Sequence, residues 1–213
     1  MIECPSCGRR QEPLLICADC GSPLAAPLDC FAALGMPRKL TIDLSALERR
    51  YHELSRKIHP DRFASKGPKV RDASLRATAT LTRSYRTLRD PVARGLYWLE
   101  LNGEKLAENN KRVPPELAEL VFEVQEQLAE MHGAPADSAA ARELASQVVA
   151  RRVQLQTTMD ETLAELDRNF ANWDQSADRK MLTLELKQIL SNIAYLRTLI
   201  RDVDRALENA KAA

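Results

Sequence analysis

Apolar residues recur along most of the chain with the helical period of 3.6 residues. The first clear stripe predicts a helix over residues 43–58 that buries Leu44, Leu47, Tyr51, Leu54 and Ile58, with Asp43 or Ser45 as the N-cap. After a loop, a second stripe predicts a helix ending near Leu88, with Val70, Ala73, Ala77, Leu81 and Leu88 on its buried face. The two patterns predict a helical hairpin, preceded by a short helix over residues 30–34 and followed by another that starts at Asp90-Pro91.

Three further helical patterns fill the second half. The first opens at Pro114-Pro115; its apolar stripe is Leu117, Leu120, Val121, Val124, Leu128 and Met131, and glutamates occupy the other side. The second is capped by Asp137 or Ser138 and runs to about Phe170, before a turn over residues 171–176. The third carries Leu182, Leu186, Ile189, Ile193, Leu196, Ile200, Val203 and Leu207. These patterns predict a three-helix bundle.

Two aromatic residues fall outside the apolar stripes of this bundle. Phe122 lies between the apolar and acidic faces of the first helix, so we expect its ring at the edge of the core. Tyr195 and Leu199 lie four residues apart on a separate face of the last helix, and we expect a second exposed apolar patch there. Scattered surface hydrophobes are the ordinary alternative.

Composition supports an all-α fold. After the first quarter of the 213 residues, Gly and β-branched residues are scarce. Leu, Ala, Glu and Arg, which favour helices, dominate that part of the chain. The predicted organisation is a small metal-binding module (1–26), a helical domain (27–104), a linker (105–112) and the bundle (113–213).

The tripeptide His59-Pro60-Asp61 ends the first helix of the hairpin. Proline biases the preceding residue away from helical geometry and cannot continue the hydrogen-bond ladder, so His59 and Asp61 should lie on an exposed turn. Four cations lie on the helix outside its apolar stripe: Arg49, Arg50, Arg56 and Lys57. Taken alone, the tripeptide is better explained as a simple helix-ending turn than as a functional motif.

Four of the five cysteines form two Cys-x-x-Cys-Gly units, Cys4 with Cys7 and Cys17 with Cys20. Such paired spacing is typical of a tetrahedral structural zinc site, and an iron centre of the same geometry is the alternative metal. Disulfides would need an oxidising compartment, and a redox Cys-x-x-Cys usually occurs singly beside a βαβ pattern. The fifth, Cys30, lies in an apolar helical turn and is expected to be a small buried residue.

The net charge is only +1 but is unevenly distributed. Residues 1–112 hold 20 Lys and Arg against 13 Asp and Glu, a net +7, whereas residues 113–213 hold 11 against 17, a net −6. The near-neutral total disfavours a nucleic-acid binder, and the two halves suggest partners of different character.

No apolar run reaches the length of a membrane span and no leader pattern is visible, which favours a cytoplasmic protein. No residues align as nucleophile, base and oxyanion donors, so we do not expect an enzyme.

The hairpin, its basic helix and its His-Pro-Asp loop together resemble the J-domain of the DnaJ co-chaperones. This resemblance implies that the loop and the basic helix dock on a DnaK-type chaperone and stimulate its ATP hydrolysis. The residues implicated here are Arg49, Arg50, Arg56, Lys57, His59, Pro60 and Asp61.

Residues 85–103 narrow the resemblance to the HscB (Jac-type) co-chaperones of iron–sulfur cluster assembly, in which "DP..RA.YLL.L.G" is a typical phrase. Residues 30–37 and 50–64 are similar to that family too, whereas Thr82, Ser84 and Gly95 depart from it. The resemblance implies that the bundle binds the IscU scaffold and that the J-domain engages an HscA-type chaperone. The implied scaffold-binding residues are Ala118, Glu119, Phe122, Glu123, Glu126 and Tyr195. The zinc module is a feature of only some family members.

Two other hypotheses remain open at this point. The chain could be a zinc-ribbon module for protein or nucleic-acid binding with a helical extension, or the four cysteines could hold a labile cluster in transit. The sequence leaves open whether the protein forms a homo-oligomer, how the J-domain is oriented relative to the bundle, and what the zinc module does for the rest of the chain.

Overall fold

The computed structural model describes residues 1–106, 113–133, 138–176 and 178–212. The chain divides into two compact units, Met1–Trp98 and Leu99–Ala213. The described residues contain seven α-helices and one small two-stranded sheet, which confirms the expected helical fold class. Among these helices, none combines the length and the apolar character that crossing a membrane requires.

The N-terminal segment is built on short turns and very little core. Strands β1 (Ile2–Glu3) and β2 (Arg10–Gln11) pair antiparallel, with Ile2 opposite Gln11, and a single bridge joins Ile16 to Pro23. Its buried cluster consists of Cys4, Cys17 and Leu24, with Ile2 packed against it. So small a core contributes little free energy to the folding of this segment.

Four α-helices follow, the last of which begins in the first unit and ends three residues beyond Trp98. They are α1 (Cys30–Leu34), α2 (Leu44–Ile58), α3 (Pro68–Arg89) and α4 (Pro91–Leu101), and a 3-10 turn (Pro60–Phe63) follows α2. The Asp43 carboxylate accepts hydrogen bonds from the N–H groups of Ser45 and Ala46, at 2.9 and 3.1 Å, so Asp43 and not Ser45 caps α2. Leu44, which the stripe predicted to be buried, is exposed because it lies in the first turn of the helix.

The α2–α3 hairpin buries most of the residues that the apolar pattern predicted, but Tyr51 is only half-buried. Four of the most deeply buried are Leu47, Ile58, Leu81 and Leu88, and Leu34 of α1 is fully buried as well. At the α3–α4 junction the Asp90 side chain caps α4, and the Arg94 guanidinium donates to the Leu88 carbonyl at 2.7 Å. Cys30 is buried, as expected for a small apolar residue, and its N–H donates to the Tyr97 hydroxyl.

The second unit contains the predicted bundle helices. A 3-10 turn (Pro115–Leu117) leads into α5 (Ala118–Gly133), followed by α6 (Ala139–Gln175) and α7 (Arg179–Ala212). Helices α6 and α7 form a long pair, and α5 packs against both. Ser138 caps α6 by accepting from the N–H of Ala141 at 3.0 Å, whereas Asp137, the other predicted cap, lies outside the described residues.

Two expectations for the bundle were wrong. Helix α6 continues to Gln175 instead of ending near Phe170, because Trp173 is buried in the core and the added turn covers it. Leu199 was expected beside Tyr195 in an exposed patch, but it is only 2% exposed. A three-helix bundle buries a wider arc of α7 than a single stripe indicates, because two neighbouring helices pack on it.

The predicted domain boundaries stay predictions. The two units meet between Trp98 and Leu99, and most of the expected linker, residues 107–112, lies outside the described residues.

Candidate metal centre and docking surfaces

Four thiols meet between the two knuckle turns of the N-terminal segment. The Sγ atoms of Cys4, Cys7, Cys17 and Cys20 all lie within 4.8 Å of one another. Cys4 Sγ is 3.5 Å from Cys20 Sγ, and Cys7 Sγ is 3.8 Å from Cys17 Sγ. Sulfurs bound tetrahedrally at the usual Zn–S length of about 2.3 Å would be about 3.8 Å apart. The donor set and its spacing therefore fit one tetrahedral metal ion.

The glycine after the second cysteine of each unit makes this geometry accessible. Gly8 and Gly21 have φ angles of 71° and 70°, in the left-handed region that favours glycine. Their N–H groups donate to the carbonyls of Cys4 and Cys17, at 2.9 and 3.0 Å, and so close the two turns. Each Cys-x-x-Cys pair is thereby curled so that both thiols face the same point.

The thiol pKa values show which cysteine of the cluster favours the thiolate form. The hydroxyl and N–H of Ser22 lower the pKa of Cys20 to about 6. The N–H of Arg9 lowers the pKa of Cys7, but hydrogen bonds from its thiol to the sulfurs of Cys20 and Cys4 outweigh this and raise it to about 12. A thiolate is therefore favoured at Cys20 near neutral pH but disfavoured at Cys7. A divalent cation would supply the positive charge that four adjacent thiolates need, with release of protons.

The His-Pro-Asp turn lies where the sequence predicted it. Helix α2 ends at Ile58, and His59 adopts the extended conformation (φ −55°, ψ 131°) that a following proline favours. The N–H of Asp61 donates to His59 Nδ1 at 3.3 Å, and the Asp61 carboxylate lies 3.4 Å from that nitrogen. Both side chains are exposed. The helix end and the exposure of the two polar side chains are thus confirmed.

Two side chains hold the last turn of α2 from outside the helix. The Ser74 hydroxyl of α3 donates to the Ile58 carbonyl at 2.7 Å, and the Arg62 guanidinium donates to the Arg56 carbonyl at 3.2 Å. These carbonyls would otherwise lack partners at the helix end. The turn that carries His59 and Asp61 is therefore fixed to α3.

The four cations predicted on α2 fall into two pairs. Arg50 and Lys57 both donate to Glu53, at 3.0 and 2.6 Å; the hydrogen bond from Lys57, then that from Arg50, hold the Glu53 pKa below its ordinary value. Arg49 and Arg56 are exposed and have no carboxylate partner within residues 1–106. We call Arg49 and Arg56 the outward pair.

Arg50 has a structural contact that the sequence did not reveal. Its Nε donates to the Leu34 carbonyl at the end of α1, at 3.0 Å. Gly35, with φ 63°, follows that carbonyl, and a Cβ there would lie 3.1 Å from the Arg50 guanidinium. The glycine after an apolar helical turn was visible in the sequence, but the guanidinium that reaches it comes from 16 residues away.

The predicted scaffold-binding residues lie mostly on one exposed face of α5. Ala118, Glu119, Phe122 and Glu126 are exposed, and Phe122 is 68% exposed, more than its predicted place at the edge of the core implies. Glu123 is half-buried and pairs with Arg151 of α6 at 2.7 Å. We call Ala118, Glu119, Phe122 and Glu126 the α5 face.

Tyr195 is separate from this face. It is half-buried on α7, and it makes no ring contact with Phe122 in the part of the chain that the structure describes. The structure thus brings together the α5 residues but gives no direct contact between the two aromatic rings.

Comparison with known proteins identifies the architecture. No protein-family model matches the chain. The chain is 30% identical over 178 residues to the co-chaperone protein HscB of Proteus mirabilis (strain HI4320), an alignment that covers 82% of this chain and 99% of that protein. It is 31% identical over 147 residues to the iron-sulfur cluster co-chaperone protein HscB homolog of Arabidopsis thaliana, covering 68% of this chain and 56% of that one.

Two solved structures share the fold. Chaperone HscB from Vibrio cholerae aligns with a TM-score of 0.61 at 22% identity, covering 85% of this chain and 99% of its own. Human co-chaperone protein HscB aligns with a TM-score of 0.61 at 24% identity, covering 95% and 97%. A helical hairpin that presents a His-Pro-Asp turn, followed by a helical bundle, defines a co-chaperone of the J-domain type. The chain belongs to the HscB family of co-chaperones.

Proposed function

We propose that the protein is a co-chaperone of iron–sulfur cluster assembly that binds an IscU-type scaffold and delivers it to a DnaK/HscA-type ATPase chaperone. One observation carries the proposal: His59-Pro60-Asp61 is exposed at the end of a basic helix in a chain of the HscB family. The Arabidopsis relative is named an iron-sulfur cluster co-chaperone.

The first unit provides the chaperone-docking surface. Its proposed contacts are Arg49, Arg50, Arg56, Lys57, His59, Pro60 and Asp61. The outward pair attracts an acidic partner, while Glu53 and the Leu34 carbonyl hold Arg50 and Lys57 in place. His59 and Asp61 perform no bond chemistry; they present hydrogen-bonding groups that stimulate hydrolysis in the nucleotide site of the partner.

The second unit provides the scaffold-docking surface. Its proposed contacts are Ala118, Glu119, Phe122, Glu123 and Glu126 on α5, and Tyr195 on α7. An exposed phenylalanine edged by carboxylates has the composition of an apolar anchor with a polar rim. Because Phe122 is exposed and Tyr195 is half-buried, Phe122 should contribute more of the binding free energy.

Cys4, Cys7, Cys17 and Cys20 would hold a structural Zn²⁺. The sulfur spacing fits a tetrahedral ion, and the small apolar core of the segment supports a structural role.

The chaperone arm is tested by measuring the ATPase rate of an HscA-type chaperone with increasing amounts of co-chaperone. We expect the wild type to stimulate hydrolysis and His59→Gln to abolish stimulation without loss of helicity or scaffold affinity. His52→Gln is the matched control, because His52 is an exposed histidine on the same helix and lies outside the turn. Full stimulation by His59→Gln would refute the docking assignment.

The scaffold arm is tested by isothermal calorimetry with an IscU-type scaffold. We expect Phe122→Ala to weaken binding about 30-fold, as loss of an apolar anchor worth about 2 kcal/mol does, and Tyr195→Ala to weaken it less. Val153→Ala, at an exposed valine on α6, is the control. Unchanged affinity in both aromatic variants would remove the α5 and α7 assignment.

A further inference from the structure

A groove of about 570 Å³ separates the metal module from the end of α2 that carries the His-Pro-Asp turn. Leu14, Leu15 and Ile16, from the segment between the two knuckle turns, form one wall. Arg50, Lys57 and Arg62 line the opposite wall. The module thus lies beside the docking surface proposed above.

The two walls differ in chemistry. On the α2 side three cations meet one nearby carboxylate, Glu53, which pairs with Arg50 and Lys57. Arg62 is exposed, and its guanidinium donates to the backbone carbonyl of Arg56. No acidic residue lines the groove within residues 1–106. The groove therefore presents net positive charge on one side and aliphatic side chains on the other.

The docking surface on α2 lacks an apolar anchor of its own. In the last two turns of α2 the exposed side chains are His52, Arg56 and Lys57, all polar. Protein interfaces usually depend on a few apolar or aromatic anchors, while rim charges mainly steer association. The groove is also lined by Leu14, an apolar side chain that is 44% exposed.

The metal centre fixes the position of this aliphatic wall. Cys17 follows the wall directly and lines the groove itself. The Leu24 N–H donates to the Leu15 carbonyl at 3.0 Å, and Leu24 belongs to the small core that contains Cys4 and Cys17. Because the four thiols hold that core together, loss of the metal would release the wall.

We propose that the metal module is the second wall of the chaperone-docking site. The ATPase partner places an acidic segment bearing an apolar side chain in the groove. Its carboxylates face Lys57 and Arg62, and its apolar side chain packs on Leu14. This inference rests on the proposed function, and it gives the module a role in partner binding.

The test compares Leu14→Glu with Leu96→Glu in the full-length metal-loaded protein. Leu96 is a suitable control because it is also in the first unit and is 41% exposed. The half-maximal concentration for ATPase stimulation and the direct Kd for the chaperone are both measured. Leu14→Glu should raise both about tenfold with an unchanged stimulation maximum, because it places a carboxylate against acidic groups of the partner. Leu96→Glu should change neither value by more than about twofold.

Two further measurements separate the explanations. Arg62→Ser, outside the module, should also raise the Kd while the metal content stays at one ion per chain. Chelation should raise the wild-type Kd but should not raise that of Leu14→Glu further, because the variant has already lost the apolar contact at position 14. If the wild type stimulates and His59→Gln does not, but Leu14→Glu and Arg62→Ser both match Leu96→Glu, the second-wall proposal is wrong. If the wild type itself fails to stimulate, the proposed function fails first.

Discussion

The surfaces of α2 and α5 carry opposite charges. On each of them, about half of the charged side chains are paired with other residues of the protein, and the rest face outward. On α2, Arg50 and Lys57 are bound to Glu53, which leaves Arg49 and Arg56 facing outward. On α5 and the turn before it, Glu123 pairs with Arg151, and Glu116 accepts hydrogen bonds from Gln188 and Asn192. Glu119 and Glu126 remain exposed on either side of Phe122.

The two surfaces differ in what accompanies the charge. The end of α2 exposes only polar side chains, whereas α5 exposes a phenylalanine. A charged surface speeds association, and its contribution depends on salt. An apolar anchor slows dissociation, and its contribution does not depend on salt. Docking through α2 should therefore weaken with ionic strength much more than docking through α5. The charge difference between the two halves of the sequence gave only the signs of the surfaces, not this difference in mechanism.

The largest expected effect tests whether Leu199 belongs to the bundle core or to an exposed patch beside Tyr195. Leu199→Ala should lower the free energy of unfolding of the second unit by about 3 kcal/mol, because it leaves a cavity in a packed core. Tyr195→Ala, four residues away and half-buried, should cost about 1 kcal/mol or less. Urea unfolding followed by circular dichroism measures both. Equal, small effects would show that Leu199 lies on the surface after all.

The next largest effect tests the outward pair of α2. Arg49→Glu combined with Arg56→Glu should weaken chaperone binding by about 2 kcal/mol, roughly 30-fold, and reduce its dependence on salt. Scaffold affinity should stay the same. Binding is titrated at low and high ionic strength, with the double charge reversal Arg83→Glu and Arg86→Glu on α3 as the control. An unaltered salt dependence would contradict the electrostatic account of this surface.

A smaller effect is expected from removing Asp29, a carboxylate that is paired within the first unit. The Asp29 carboxylate caps α1 by accepting from the N–H of Ala32 at 2.9 Å and also pairs with Arg38. Burial raises the Asp29 pKa, but the N–H of Ala32 and the Arg38 guanidinium outweigh it and hold the pKa below its ordinary value. Asp29→Ala should therefore cost about 1 kcal/mol at pH 7, the typical value of an N-cap.

The sign of the pH dependence follows from that lowered pKa. The stabilising contribution of Asp29 is fully present above its ordinary pKa of 3.8 and is lost as the pH falls through the lower folded value. Wild type and variant should thus differ in thermal unfolding at pH 7 and converge in strong acid. A difference that persists at low pH would show that the carboxylate acts through packing and not through its charge.

The smallest effect concerns the rim of the α5 face. Glu119→Gln combined with Glu126→Gln should slow association with the scaffold about two- to threefold and leave the dissociation rate nearly unchanged, since rim charges mainly steer the encounter. Stopped-flow kinetics measures both rates, and Glu130→Gln is the control. An accelerated dissociation would place these carboxylates in the centre of the contact instead of at its rim.

The local features of this protein were determined by its sequence. Helical periodicity located the hairpin and the bundle, proline ended α2 at Ile58, and the two Cys-x-x-Cys-Gly units indicated the cluster of four thiols. Each of these depends on residues within one or two turns of one another, where backbone sterics and side-chain spacing decide the outcome.

Other features were decided only by the tertiary structure, because they depend on residues distant in the chain. Burial of Leu199 needs the helices that pack on α7, and the length of α6 depends on the core around Trp173. Which α2 cations are paired and which face outward depends on Glu53 and on the Leu34 carbonyl, which is 16 residues from Arg50. The groove beside Leu14 exists only because the module folds next to α2. A stripe on a helical wheel reports one packing partner, whereas burial and charge pairing are set by all of them.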